Sequence, residues 1–108
     1  MDKYTIYCTE EQTKKALELG APIKYKYTLD NKERGKFEKP TASQMIGWLE
    51  EQEDIKEVFV TIEYTYWHYA IILSNGRVIE CEDSYDSRKE ATLAIIDAAL
   101  DYLIKNKK

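Results

Sequence analysis

The stretch that decides the fold is Ile71-Ile72-Leu73-Ser74-Asn75-Gly76-Arg77-Val78-Ile79, in which Asn-Gly separates two apolar runs. Asn-Gly between apolar runs is the strongest short-range signal for a β-hairpin. A two-residue turn at Asn75-Gly76 would place Ile72 opposite Ile79, and further along it would place Ala70 opposite Cys81 and His68 opposite Asp83. The centre of the chain is therefore predicted to be an antiparallel pair of strands.

A third strand is predicted just before the hairpin, at residues 57–64, where apolar and polar side chains largely alternate. Together the three strands would form a β-meander. Helices are predicted on both sides of it by capping boxes, in which a Ser or Thr and a Gln or Glu three residues later satisfy each other's backbone N–H groups. The capping pairs are Thr9/Gln12, Thr41/Gln44 and Ser87/Glu90.

The three helices differ in their expected bounds and faces. The first should cover residues 10–19, because Gly20 suits a left-handed C-cap and Pro22 prevents continuation. The second carries an apolar stripe at helical spacing and should end near Glu53. The third, at residues 87–105, has a narrow polar side and should lie against the sheet along much of its girth. That polar side consists of Glu90, Asp97, Asp101 and Lys105.

These elements predict an α+β fold: a three-stranded antiparallel meander packed by two helices (α-β-β-β-α), with an N-terminal β-α-β unit. In that unit the strands should occupy residues 4–8 and 23–29, followed by a charged turn at residues 30–35. A chain of 108 residues suits a single domain. We expect residues 1–39 to form the β-α-β unit and residues 40–108 the α-β-β-β-α unit.

Composition excludes several classes of protein. A formal charge of −4 and a pI near 5.1 argue against a dedicated nucleic-acid binder. No apolar run reaches the roughly 18 residues of a membrane span, and the start of the chain lacks the apolar core of a secretory signal. Cys8 and Cys81 are too few for a disulfide framework. We therefore expect a cytoplasmic protein with free thiols and no membrane association.

The predicted register divides the meander into two faces. Ala70, Ile72, Ile79 and Cys81 would lie on the face that the helices cover. The other face would be aromatic with a carboxylate margin, and it is the candidate protein-binding surface. It would either be covered by the N-terminal unit, or dock a partner protein or a second copy, or stack against a sugar. Its residues are Phe59, Trp67, Tyr69, Glu63, Glu80 and Glu82, with Trp48 as a further candidate.

No catalytic, cofactor or metal site is predicted. The single histidine, His68, is expected to be half-buried in its strand near Asp83. We do not expect a Cys81–His68 dyad, because the predicted register sets the two residues two positions apart on the helix-covered face. Two cysteines and one histidine without short spacing cannot close a zinc site. The acidic residues 80–87 should cap the following helix and place negative charge at its positive end.

The order helix–strand–strand–strand–helix from Thr41 onward resembles the double-stranded RNA-binding domain. The third helix, with Ser87-Arg88-Lys89 at its start and Ala98-Ala99 later, resembles the alanine-rich last helix of that family. The resemblance implies phosphate contacts by Arg88 and Lys89, because basic residues at that helix start clamp phosphates in the family. Thr92 stands where a third basic residue is expected, and the neighbouring residues Glu82, Asp83 and Asp86 carry the wrong charge.

Over its whole length the chain resembles a group of small proteins encoded by Bacteroidales and their phages and mobile elements. The stretches that carry this resemblance are Pro40-Thr41-Ala42-Ser43-Gln44 with Trp48-Leu49-Glu50, then Tyr66-Trp67-His68-Tyr69, and the end of the chain from Glu90-Ala91 to Leu100. The resemblance implies a cytosolic accessory protein and transfers no functional residue.

The leading functional hypothesis is a non-catalytic binding or adaptor domain without a cofactor, acting through a protein partner or self-association as a phage or mobile-element accessory protein. The alternative is a domain that binds double-stranded RNA through Arg88 and Lys89. A third hypothesis is a hydrolase or transferase that depends on Cys81.

Overall fold

Three helices and a three-stranded antiparallel sheet form the structure, a computed structural model that describes residues 6–22, 25–26, 36–37, 39–81 and 83–106. The strand order in the sheet is β3-β4-β5, and β1 pairs separately with β2. The α+β class and the α-β-β-β-α order from α2 onward are therefore confirmed. The elements are α1 (Glu10–Glu18), β1 (Tyr25–Lys26), β2 (Lys36–Phe37), α2 (Ala42–Glu50), β3 (Ile55–Glu63), β4 (Tyr66–Leu73), β5 (Val78–Glu80) and α3 (Arg88–Lys105).

The helix ends follow the capping signals. At both Thr9 and Thr41 the capping box is complete, with the threonine hydroxyl and the glutamine side chain each accepting a backbone N–H bond. Ser87 Oγ accepts from the Glu90 N–H at 3.1 Å. Helix α1 ends in a Schellman motif at Gly20, whose φ of +91° suits glycine. Helix α2 ends at Glu50, earlier than expected.

Helix α3 is the centre of the core. It packs against β3 and β4, and α1 and α2 pack against it. Five of its residues have no exposed surface: Ala91, Ile95, Ile96, Ala99 and Leu100. The predicted polar side of α3 is exposed along its length, as expected. Lys15 of α1 reaches this side and contacts the Asp101 carboxylate at 2.7 Å.

The hairpin between β4 and β5 has a three-residue loop instead of the predicted two-residue turn. The Gly76 N–H donates to the Leu73 carbonyl, and the Leu73 N–H donates to the Arg77 carbonyl, both near the loop base. Gly76 has φ +91°, as the left-handed position of a three-residue hairpin loop requires. The Asn75 carboxamide oxygen accepts the Arg77 N–H at 2.9 Å. The Asn-Gly signal thus located the hairpin correctly but not its loop length.

Because of this extra loop residue, the predicted register is wrong by one residue. Ile79 lies opposite Ile71, whereas we expected it opposite Ile72. A shift of one residue moves every side chain of a strand to the other face of the sheet. In β3 and β4, Val58 lies opposite Ile71 and Val60 opposite Tyr69. The face that the helices cover therefore carries Ile55, Val58, Val60, Ile62, Trp67, Tyr69, Ile71, Leu73 and Ile79.

The N-terminal unit is described only in part. Within the predicted strand at residues 4–8, Tyr7 forms a bridge with Thr41, and the Cys8 N–H donates to the Pro40 carbonyl at 2.9 Å. Of the predicted strand at 23–29, the structure describes only β1, and the turn expected at 30–35 lies outside the described residues. None of the helices in the described ranges is long and apolar enough to cross a lipid bilayer.

Two glycine-to-alanine variants should change stability in opposite directions. Gly76→Ala should lower the free energy of unfolding by about 1 kcal/mol, because an added Cβ is strained at φ +91°. Gly47→Ala should raise it by about 0.5–1 kcal/mol, because Gly47 lies inside α2 and an added Cβ meets no atom within 4 Å. Urea unfolding measures both. A Gly76→Ala protein as stable as the unmodified chain would contradict the three-residue loop.

Candidate functional site

Among the residues that the structure describes, the sheet has an open face, opposite the face on which the helices share their core. It is defined by cross-strand pairing, since directly opposed residues of an antiparallel pair point to the same side. Phe59 lies opposite Ala70, and Ala70 lies opposite Glu80, so all three strands contribute to this face. The open face consists of Glu57, Phe59, Thr61, Glu63, Tyr66, His68, Ala70, Ile72, Val78 and Glu80.

Large apolar side chains are exposed on this sheet. On the open face, Phe59 is 38% exposed, Tyr66 49% and Val78 51%. At the β3–β4 turn, Tyr64 is 93% exposed and Ile62, on the other face, 53%. Of the large hydrophobic side chains exposed within the described residues, only Tyr7 lies outside this sheet and its β3–β4 turn. Such concentration of apolar surface is typical of an interaction site.

Carboxylates surround the apolar part of the open face. Glu57 and Glu63 lie near the two ends of the β3 row, and Glu80 ends β5; all three are exposed. None of the ten side chains of this face belongs to a lysine or an arginine. Its charge is therefore of one sign, and it favours a positively charged partner.

The residues predicted as one binding surface lie on two faces. Phe59, Glu63 and Glu80 belong to the open face, whereas Trp67 and Tyr69 lie on the face that the helices cover. Grouping Phe59 with Trp67 and Tyr69 was wrong, because β3 and β4 are joined so that Glu63 pairs with Tyr66. In this register an odd-numbered residue of β3 lies opposite an even-numbered residue of β4, so Phe59 shares its face with Ala70 and not with Tyr69. Glu82 lies outside the described residues.

The sequence prediction missed Tyr66, Val78 and Ile62 as exposed apolar residues near the open face. The placement of Val78 depends on the three-residue loop at Gly76. The placement of Ile62 and Tyr66 depends on the two-residue turn at Tyr64-Thr65, where Tyr64 has φ +58°. A positive φ is uncommon for a residue other than glycine, and Tyr-Thr is not a recognised hairpin turn sequence. No local sequence signal therefore fixed this register.

The two aromatic residues on the covered face, Trp67 and Tyr69, contact other parts of the protein. Tyr69 is partly buried, packs against the core and stacks on Tyr85 with ring centroids 6.1 Å apart. Trp67 is also partly buried, and its backbone pairs with that of Tyr85 through N–H···O bonds of 2.8 and 2.9 Å. Trp48, the further candidate, packs against the core from α2. These contacts give all three aromatic residues a role in the packing of the fold.

The single histidine lies close to a cysteine thiol. His68 is partly buried on the open face, opposite Thr61. The Cys81 Sγ atom lies 3.7 Å from His68 Nδ1, within hydrogen-bonding distance for sulfur. The expected separation of these two residues was therefore wrong, because the register on which it rested is shifted. Both cysteines are free thiols, as predicted.

The remaining candidates are at the start of α3. Arg88 and Lys89 are both exposed in its first turn. Asp83, Asp86 and Glu90 are exposed nearby in the sequence and oppose phosphate binding. Across the described ranges, no three His, Cys, Asp or Glu side chains come together as potential metal ligands.

Comparisons with known proteins give no relative for this chain. No protein-family model matches it, and neither a curated protein nor a solved structure shows significant similarity.

Truncation of an aromatic residue should destabilise the protein more on the covered face than on the open face. Tyr69→Ala should lower the free energy of unfolding by about 2 kcal/mol, because it removes core packing and the Tyr85 stack. Phe59→Ala should lower it by less than about 1 kcal/mol, since its ring is substantially exposed. Denaturant titrations of both variants provide the test, and equal losses would contradict the assignment of faces.

Proposed function

We propose that this protein is a non-catalytic binding domain that docks a partner protein on the open face of its sheet. The observation that carries the proposal is the one-sided packing of the sheet. The helices share a core with one face, while Phe59, Tyr66 and Val78 remain exposed on the other. We further propose, from the sequence pattern alone, that it is a cytoplasmic accessory protein of a phage or mobile element.

The composition of the open face favours a protein partner. Residues that dominate binding free energy are commonly aromatic, lie near the centre of an interface and are surrounded by polar groups. Phe59 lies midway along β3: Ala70 lies beside it on the central strand β4, while Glu57 and Glu63 stand toward the ends of its strand row. The phenol of Tyr66 supplies apolar area together with a hydrogen-bonding group.

The size of the open face indicates a small and reversible interface. Residues 57–63 span roughly 20 Å along β3, and three strands place the outer two about 10 Å apart. This area is well below the roughly 800 Å² that each partner buries in a standard stable complex. Ile62 and Tyr64 at the adjoining turn extend the exposed apolar surface. We therefore infer micromolar binding that uses both the face and this turn.

The partner should present an apolar patch with lysine or arginine around it. The three carboxylates of the open face would attract such a margin and raise the association rate at low salt. Charge reversal at Glu63, which is exposed, should slow association without affecting the fold. The same carboxylates disfavour self-association through this face, since two copies would bring like charges together.

Truncation of the open face should weaken partner binding. The partner is first captured by photo-crosslinking from a residue analogue placed at Thr61, which is exposed between Phe59 and Glu63, and is then purified. Phe59→Ala and Tyr66→Ala should each raise Kd about thirtyfold, equivalent to about 2 kcal/mol, in isothermal titration.

Tyr7→Ala is the matched control, because Tyr7 is 44% exposed, similar to Tyr66, but lies outside the three-stranded sheet. Its Kd should stay within about twofold of the unmodified protein. Unchanged affinity in both open-face variants, with their stability intact, would contradict the proposed docking surface.

Double-stranded RNA binding is the second candidate function, because α2 and α3 flank the meander in the chain order of that domain family and Arg88 and Lys89 are exposed. We expect a duplex of about 16 base pairs not to bind at physiological salt, since acidic residues surround this pair. Fluorescence anisotropy measures the binding. Salt-sensitive binding that Arg88→Ala and Lys89→Ala both abolish would favour the RNA hypothesis over our proposal.

A further inference from the structure

The end of β5 has an unusual hydrogen bond in which a thiol takes the place of a backbone carbonyl. The Cys81 N–H donates to the Tyr69 carbonyl at 3.2 Å, as in a regular antiparallel pair. The returning bond differs, because the Tyr69 N–H donates to Cys81 Sγ at 3.4 Å. The sulfur is thus held in place by a backbone donor, and such a donor stabilises a negative charge on it.

His68 completes the surroundings of this sulfur. Its Nδ1 atom lies 3.7 Å from Cys81 Sγ, so the imidazole can accept the thiol proton directly. Both residues are partly exposed, so the pair lies at the surface of the protein. An imidazole on one side and an N–H donor on the other are the groups that activate a thiol as a nucleophile.

The second cysteine of the chain has the opposite surroundings. Cys8 is only 2% exposed, and its thiol faces a hydrogen-bond acceptor, the Thr41 carbonyl, at 3.9 Å. Burial raises the pKa of the Cys8 thiol to about 11. Cys8 therefore stays protonated and shielded at neutral pH, and it serves as an internal reference for the reactivity of Cys81.

Charged neighbours restrict which molecules reach Cys81. Glu80 and Asp83 flank it in the chain, and both are exposed. Tyr85 lies nearby, and its pKa is raised by burial first and then by its neighbours Cys81 and Asp83. The phenol is thus neutral at physiological pH. Anionic reagents are repelled from this site, and small uncharged ones are not.

We propose that Cys81 and His68 form a nucleophilic thiol site that reacts with small uncharged electrophiles, with hydrogen peroxide as the oxidant. The sulfur attacks one peroxide oxygen while the oxygen–oxygen bond breaks, and a sulfur–oxygen bond forms. The thiol proton, taken up at His68 Nδ1, passes to the departing oxygen and yields water. Cys81 becomes a sulfenic acid, oxidised by two electrons, and the peroxide is reduced by two. The thiol proposal does not rest on the docking proposal, although His68 also belongs to the open face.

The test compares both cysteines in the full chain. The folded protein is treated with iodoacetamide at neutral pH, and peptide mass spectrometry follows each thiol over time. Cys81 should react about tenfold or more faster than Cys8. It should also prefer iodoacetamide over the anionic iodoacetate by more than a free thiol does. After peroxide treatment, dimedone should label Cys81 and not Cys8.

His68→Gln distinguishes an assisted thiol from one that is merely exposed. The variant should slow alkylation of Cys81 about tenfold, because glutamine cannot take up the proton, while Cys8 remains unreactive. Cys8 also reports whether the variant is folded, since unfolding would expose its thiol. If Cys8 becomes reactive in His68→Gln, the measurement is repeated with His68→Asn. Cys81 alkylation that is unaffected by the folded His68 variant, or that is as slow as Cys8 alkylation, would overturn the proposal.

Discussion

The burial of α3 is the constraint on which the rest of the structure depends. This helix contacts the sheet and both other helices, and its fully buried side chains supply the centre of the core. Burying a large aliphatic side chain contributes about 1.5–3 kcal/mol, so these contacts dominate over any surface ion pair in the molecule. The Gln12 side chain orients α1 relative to α3, because its amide donates to the Leu93 carbonyl at 2.8 Å.

Because the core lies on the side of the sheet that α3 covers, one face of the sheet is buried and the other is exposed. Val58 and Ile71 oppose each other beneath the helices and are buried, whereas Phe59 on the next position of β3 is substantially exposed. The edge of β3 is also protected, since the Glu50 carboxylate accepts the Val58 N–H at 3.1 Å. A carboxylate at that position hinders addition of another strand there.

Sequence patterns predicted the helices well and the faces of the sheet poorly, for physical reasons. Helix boundaries depend on local bonds, so Thr9, Thr41 and Ser87 could be recognised from their neighbours alone. Strand faces depend on loop length, and one additional residue at Gly76 or an unpredicted turn at Tyr64 reverses them. The same dependence explains the candidate sites: Phe59, Glu63 and Glu80 share a face as expected, while Trp67 and Tyr69 do not, and Cys81 approaches His68.

The one-sided arrangement of the sheet also bears on how such a protein changes over evolutionary time. Substitutions at Thr61 or Val78 alter the outer surface and leave the packed interior unaffected, so selection can act on recognition there without a penalty in folding. Substitutions beneath α3 have no such freedom. A chain built in this way can acquire new partners quickly while its scaffold stays constant, and its relatives should then diverge fastest along alternate residues of the same three strands.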